Sequence, residues 1–197
     1  MKRDSAFPHH LSDWLYKVST GWVTLAAVVL FLLFTALVLP GQAAEAETST
    51  GGAASPDTSL FYTPDELYAM AEAYGPEGRR AYIRARFTFD LIWPLVYLIF
   101  LVTTISWIYR RAFGPDSLMQ RANLVPIVGA LFDYLENTAT SLVMARYPAR
   151  TPVIDLLAPV FTLVKWIFVG GSFVVLVLGF AVAIWRWASK RIHKTLE

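Results

Sequence analysis

Four long apolar runs constrain what this chain can fold into more than any other feature. They extend over residues 22–39, 87–108, 124–145 and 156–184. Each can supply the roughly 20 residues with which a helix crosses a hydrocarbon layer of about 30 Å. Because unpaired backbone groups are too costly in lipid, the runs predict an all-α integral membrane protein, a bundle of four transmembrane helices.

Lysine and arginine are unevenly distributed around these predicted spans. Ten of the 17 lie on one side, in the N-terminal segment, the loop after the second run and the C-terminal segment; six lie on the other side, and Lys165 lies within the last run. An excess of Lys and Arg marks the cytoplasmic face. We therefore expect a multi-pass membrane protein with both termini in the cytoplasm.

The first run admits a second interpretation, as a secretory signal peptide. Lys2, Arg3 and Lys17 precede it and Gly41-Gln42-Ala43-Ala44 follows it. Its roughly 18 apolar residues exceed the usual signal core of roughly 7–15 residues, which favours a retained signal anchor. Cleavage would leave three spans with the N-terminus outside.

The segments between the runs predict the organisation of the chain. We expect a cytoplasmic tail over 1–17, the first span over 18–40, an extracytoplasmic linker over 41–60 and a three-span bundle with a short extracytoplasmic helix over 61–197. Residues 42–59 are small, polar and interrupted by Gly and Pro, as linkers are. Thr63-Pro64-Asp65-Glu66 predicts a capping box that begins a helix ending at Tyr74-Gly75. A second helix is expected from Gly75-Pro76 to Arg111, interrupted only at Pro94.

The third run carries a stripe of small and polar residues at spacings of three and four. Asp133, Glu136 and Asn137 lie on this face, which indicates a contact between helices, while Leu131 and Leu135 lie on the opposite, lipid-facing side. The complete stripe consists of Pro126, Gly129, Ala130, Asp133, Glu136, Asn137, Thr140 and Ser141.

The third and fourth runs bring ionisable side chains to a similar depth. Asp133 and Glu136 lie about 14 and 18 Å into the third span, and Lys165 lies about 14 Å into the fourth from the other side. Buried charges in lipid need partners, so we expect Lys165 to pair with Asp133 or Glu136 and the remaining carboxylate to hold a proton.

The second run contributes Asp90 and Tyr97 to the same region. Arg86 lies one helical turn before Asp90 and is expected to pair with it. Arg79, Arg80, Arg84 and Arg86 form an arginine-rich stem above the second span, suited to an anionic head group. An alternative is that these arginines only form a solvated face.

Several kinds of chemistry have no support in the sequence. The chain has no Cys, and its three His lie in the terminal segments, so no cofactor or Cys-ligated metal site is expected. Catalytic motifs such as HExxH and GxSxG are absent. Gly170-Gly171-Ser172 has no His partner and is better explained by close helix packing. The cations flank the apolar runs, which does not favour nucleic acid.

The chain resembles a family of small, functionally uncharacterised bacterial membrane proteins with four spans. The resemblance covers roughly residues 61–170, and its most specific part is Asp133-Tyr134-Leu135-Glu136-Asn137 together with Lys165. It implies a shared fold, a shared polar site and a location in the bacterial inner membrane, but no activity. The other matching positions are Gly75, Gly78-Arg79, Tyr82, Asp90, Pro94, Tyr97 and Pro126.

Three functions are compatible with such a site. The leading hypothesis is an outward-opening polar pocket that binds a lipid-like or small polar ligand through Asp90, Tyr97, Asp133, Glu136, Asn137, Lys165, Arg79 and Arg86. The second is a membrane enzyme whose paired carboxylates act as acid and base on a lipid. The third is an accessory subunit that docks on a membrane complex or a second copy. A purely structural ion pair is the alternative to all three.

Overall fold

The computed structural model describes residues 6–195, and every regular element within that range is helical. The all-α prediction is confirmed. A five-residue π-helical stretch, Phe34–Val38, joins α2 and α3, and 3₁₀ turns occur at Pro56–Thr58 and Leu118–Leu124. The α-helices are α1 (Ala6–Val18), α2 (Gly21–Leu33), α3 (Leu39–Thr50), α4 (Pro64–Ala73), α5 (Gly75–Arg86), α6 (Phe89–Ala112), α7 (Val125–Arg146) and α8 (Ile154–Thr195).

Three helical segments within the described residues are long and apolar enough to cross a membrane. They are Gly21–Thr50, Gly75–Ala112 and Ile154–Ser189. Helix α7 has 22 residues, about 33 Å at about 1.5 Å per residue, which is also enough to cross. Asp133, Glu136 and Asn137 lower its hydropathy, so its composition alone does not mark it as a span.

Helix α7 lies at the centre of the bundle, packed against α8, α6 and α5. All eight residues of its small and polar stripe are buried, whereas Leu131, Leu135 and Leu142 on the opposite face are exposed. The assignment of the two faces from residue spacing is therefore confirmed. The polar side chains of α7 therefore point into the protein, and its aliphatic side chains form the outer face.

The α7–α8 contact depends on a glycine. A Cβ on Gly129 would lie 2.9 Å from Cγ2 and 3.1 Å from the backbone nitrogen of Val169. The prediction of close helix packing at Gly170-Gly171 was wrong, because no described atom lies within 4 Å of a Cβ placed at either position. The glycine that allows the helices to approach is on α7.

The segment before α5 folds as its turn residues indicate. The Thr63 backbone N–H donates to Glu66 Oε2 at 2.6 Å, and the Glu66 N–H donates to Thr63 Oγ1 at 3.3 Å, which completes the capping box. Gly75 has a φ of +61°, the left-handed conformation that lets the chain end α4 and begin α5. Both predictions for this region are confirmed.

The linker expected over 42–59 was wrong in its first half. The helix of the first run continues to Thr50, since Ala and Glu are good helix formers, and Gly51 with a φ of +63° ends it. Helix α3 packs on α5, where a Cβ on Gly78 would lie 2.6 Å from the Ser49 carbonyl oxygen. Residues 42–50 therefore have a packing partner that their composition does not reveal.

Two further boundaries differ from expectation. Helix α1 includes residues 6–17 of the expected N-terminal tail. It packs beside α6 and the Leu118–Leu124 turn, with a 2.9 Å hydrogen bond from Ser12 Oγ to Asn123 Oδ1. The helix expected from Gly75 to Arg111 is interrupted at Phe87 and Thr88, between α5 and α6, and not at Pro94, which lies inside α6. Residues 1–5 of the tail lie outside the described range.

We expect Gly129→Ala to destabilise the folded protein by about 1–3 kcal/mol, because the added methyl group forces α7 away from Val169. Thermal unfolding of the detergent-solubilised protein would measure the change. Gly170→Ala is the matched control, since its new methyl group meets no atom within 4 Å. Equal stabilities of the two variants would contradict the assigned contact.

Candidate functional site

Six ionisable side chains meet between α5, α6, α7, α8 and the Pro56–Thr58 turn. We call them the charged cluster: Asp57, Arg86, Asp90, Asp133, Glu136 and Lys165. Five of them are buried, and the Asp57 side chain is 35% exposed. Buried charges are tolerated only when they are paired and hydrogen-bonded, so the contacts of each one decide what the cluster can do.

Lys165 connects α8 to two acids. Its ammonium forms a close ion pair with Glu136 Oε2 and lies 3.1 Å from Asp57 Oδ1. The other Glu136 oxygen accepts a 2.8 Å hydrogen bond from Thr162 Oγ1, which is in turn 3.0 Å from the Tyr62 hydroxyl. Of the two partners predicted for Lys165, Glu136 is the one in contact.

Arg86 is the second basic residue of the cluster. Its Nε lies 3.0 Å from Asp90 Oδ2, the one-turn pairing predicted from sequence, and its Nη1 lies 3.1 Å from Asp57 Oδ1. Its guanidinium carbon is 4.6 Å from the centre of the Tyr82 ring. Nη1 is also 3.5 Å from Asn137 Oδ1, which connects this base to α7.

Asp57 is the member of the cluster that sequence reasoning missed. It was assigned to a linker with nothing to bury, but Pro56 beside it is fully buried and the turn carries Asp57 between Arg86 and Lys165. Burial alone raises the pKa of its carboxyl, but the charges and hydrogen bonds of Arg86 and Lys165 outweigh that effect and hold the pKa well below its ordinary value. The only sequence signal was the turn-forming Ser55-Pro56-Asp57 itself.

Asp133 differs from the other acids of the cluster. It accepts hydrogen bonds from the Tyr97 hydroxyl at 2.8 Å and from Asn137 Nδ2 at 3.2 Å. Among the residues that the structure describes, no lysine or arginine forms a salt bridge with it. It is 7% exposed, so it is a buried carboxylate held by neutral donors.

A cavity of about 190 Å³ lies beside the cluster, and we call it the inner cavity. Charged and aromatic side chains line most of it, and the Trp166 Nε1 on its wall is buried without a hydrogen-bond partner among the described residues. The lining residues are Phe31, Asp57, Asp90, Trp93, Tyr97, Asp133, Lys165, Trp166, Val169 and Phe173.

A larger space of about 510 Å³ adjoins the cluster on its other side. We call it the loop-side chamber, because α3, residues 52–58, α5 and the start of α6 line it. Asp57 and Asp90 line both spaces, and Arg86 lines the chamber. The Asp57–Arg86–Asp90 ion pairs therefore stand between the chamber and the inner cavity.

The predicted arginine stem is only partly in the site. Arg86 belongs to the cluster, but Arg79 donates a 2.7 Å hydrogen bond to the Ala71 carbonyl and lies over the Tyr147 ring, outside both spaces. Arg80 pairs with Glu77, and Arg84 lies 4.0 Å from Glu45. The other predicted site residues, Asp90, Tyr97, Asp133, Glu136, Asn137 and Lys165, are brought together.

Three of the acids are close enough to be considered as ligands of a metal ion. One oxygen each from Asp57, Asp133 and Glu136 lie within 4.8 Å of one another, and carboxylate oxygens suit hard cations. However, the Lys165 ammonium already contacts Asp57 and Glu136 and supplies positive charge there. A metal ion would have to displace it, so this set of donors fits an ammonium better than a metal.

No family model, curated protein or solved structure matches this chain. The chemistry of the cluster is therefore the basis for assigning a function. Its groups can hold a charged ligand or pass a proton between carboxylates, but it contains no activated Ser, Cys or His nucleophile.

We expect Lys165→Met to destabilise the protein by about 3–5 kcal/mol, because Glu136 would keep a buried charge without its base. Adding Glu136→Gln should recover part of the loss. Unfolding of the solubilised proteins in a denaturant series would measure both.

The control for this pair is Arg80→Met, which removes the exposed Arg80–Glu77 pair and should change stability by no more than about 1 kcal/mol. Additive losses in the Lys165→Met and Glu136→Gln cycle would contradict the pairing.

Proposed function

We propose that this chain is a four-span protein of the bacterial inner membrane, with both termini in the cytoplasm, whose inner cavity binds a small polar or lipid-like ligand. The observation that carries the proposal is the inner cavity itself, a space of about 190 Å³ between helices with Asp57, Asp90, Asp133 and Lys165 on its wall. Concave sites that combine an apolar wall with a few convergent polar groups are typical of ligand pockets.

The surface of the bundle supports a membrane location. Leu37 is 74% exposed, Val177 64% and Leu131 55%, each on a different long helix. In water such an array of apolar side chains would be unfavourable, whereas in lipid it is the expected exterior. With α7 as the fourth span, its buried polar stripe faces the other helices and its aliphatic face meets lipid.

The arrangement of charges favours ligand binding over a purely structural role. A structural ion pair is complete when each charge has its partner, as Glu136 has in Lys165. Asp133 is buried, has no salt bridge to a lysine or arginine in the described part of the chain, and lines an open space instead. Ionisable groups at such a depth usually mark a binding or transport pathway.

The ligand would enter from the extracytoplasmic side. In the proposed orientation the loop-side chamber faces outward, and the Asp57–Arg86–Asp90 ion pairs lie between it and the inner cavity. Arg79 and Arg80 are engaged elsewhere, so recognition of an anionic head group by the arginine stem is not part of this proposal. The acids and aromatic rings of the cavity hold the ligand.

Single-cysteine labelling tests the orientation cleanly, because the chain contains no Cys. We expect Thr48→Cys, exposed on α3, to react with a membrane-impermeant maleimide in spheroplasts. Asp116→Cys, exposed in the loop after α6, should react only after lysis. The opposite pattern would contradict the proposed topology, and loss of an N-terminal epitope tag would indicate cleavage of the first span.

Ligand retention tests the cavity. We expect the protein purified in mild detergent to carry a small molecule or lipid detectable by native mass spectrometry, and Asp133→Asn to lose it while folding normally. Asp155→Asn is the matched control, since Asp155 is equally buried and accepts a 3.3 Å hydrogen bond from Tyr68 but lies outside the cavity.

Retention of the ligand by Asp133→Asn would contradict the assignment of the cavity. A stoichiometric partner protein in place of a ligand would instead favour an accessory subunit.

A further inference from the structure

The charged cluster contains more acids than bases. Asp57, Asp90, Asp133 and Glu136 face two bases, Arg86 and Lys165. When all six are ionised the cluster has a formal charge of −2. A site of low polarity does not tolerate such an excess, so the cluster takes up positive charge, as protons or as a cationic ligand.

The contacts indicate which acid is available to a ligand. Arg86 contacts Asp57 and Asp90, and Lys165 contacts Asp57 and Glu136, so both bases are already shared between two acids. Asp133 accepts one hydrogen bond on each oxygen, and a carboxylate has about four acceptor positions. It lines the inner cavity and can accept further hydrogen bonds there.

Half of the residues that line the inner cavity are aromatic. Phe31, Trp93, Tyr97, Trp166 and Phe173 come from three helices and surround the same space. Aromatic faces attract organic cations, and this attraction is stronger where water is excluded. A metal ion would find no ligand on these ring faces. An anion would meet the electronegative ring faces and the excess of carboxylates, since Lys165 on the wall already contacts Asp57 and Glu136.

We propose that the inner cavity binds an organic ammonium group, a protonated amine or a quaternary ammonium, with Asp133 as its counter-ion and the aromatic side chains as its walls. This inference rests on the proposed function and specifies its ligand class. The ammonium neutralises part of the charge excess and occupies the space that the Lys165 ammonium does not fill. It belongs to a free solute or to a lipid head group, since the chemistry of recognition is the same for both.

Three molecules of nearly the same shape and different charge test this proposal: choline, the neutral 3,3-dimethylbutan-1-ol and the anionic 3,3-dimethylbutanoate. Isothermal titration calorimetry of the full chain in detergent should show choline binding at least about tenfold more tightly than either analogue, as expected for a charge-assisted contact. Equal or tighter binding of the alcohol or the carboxylate would overturn the ammonium assignment and leave the cavity a ligand site.

Absence of binding by all three would also overturn the ammonium assignment, and the ligand-retention measurement then decides separately whether the cavity is a site at all. The second measurement reconstitutes the protein in nanodiscs of mixed lipids and analyses the lipid that stays bound to it. Enrichment of phosphatidylethanolamine over phosphatidylglycerol in that bound lipid shows that the ammonium belongs to a lipid head group. Choline binding without enrichment identifies a free solute.

Substitutions test whether the assigned residues bind choline. Asp133→Asn should weaken choline binding by about tenfold or more and leave the weak affinity for the neutral alcohol unchanged. Tyr97→Phe keeps the aromatic wall but removes the 2.8 Å hydrogen bond to Asp133, so it should change affinity less than Asp133→Asn does.

Tyr68→Phe is the control for Tyr97→Phe, because Tyr68 donates to Asp155 in the same way outside the cavity, and choline affinity should not change. If Asp133→Asn bound choline as tightly as the unmodified chain, Asp133 would not be the counter-ion.

Discussion

The centre of this bundle depends on the compensation of buried charge, which Lys165 and Arg86 provide. Lys165 joins α8 to two acids. Its ammonium contacts Glu136 on α7 and Asp57 in the Pro56–Thr58 turn, and Arg86 contacts the same Asp57 and extends the series to Asp90 on α6. Unpaired, each of these charges would oppose the packing of the helix that carries it. Paired, they connect α5, α6, α7, α8 and the loop before α4 at one level of the bundle.

Contacts between residues close in sequence could be predicted from the sequence. The buried face of α7 follows from spacings of three and four, and the Arg86–Asp90 pair follows from a spacing of four, because both are set by helical geometry alone. A contact of Lys165 with Asp133 or Glu136 was expected from matching depths in antiparallel helices, and Glu136 is the partner. The four-span topology remains a prediction, supported by three apolar helices and by the length of α7. The resemblance to a bacterial membrane family also remains a prediction, since no family model matches the chain.

Other parts depend on contacts distant in sequence and could not be predicted from local patterns. Asp57 lies 108 residues from Lys165, in a segment whose composition indicates only a linker. The same holds for α3, whose polar residues are helical to Thr50 and packed on α5 beside Gly78. Arg79 was expected in the site but lies outside it. Its side chain instead contacts the Ala71 carbonyl and the Tyr147 ring.

The polarity of α7 has a consequence for the biosynthesis of the protein. Asp133 and Glu136 near the middle of a helix each cost about 2.5–3.5 kcal/mol on translocon insertion scales, so α7 alone is a poor substrate for entry into the bilayer. Helix α8 follows after a short loop and carries the lysine that pairs with Glu136. As spans of a membrane, the two helices would therefore suit joint insertion as a hairpin, with Glu136 neutralised by Lys165 as the pair enters.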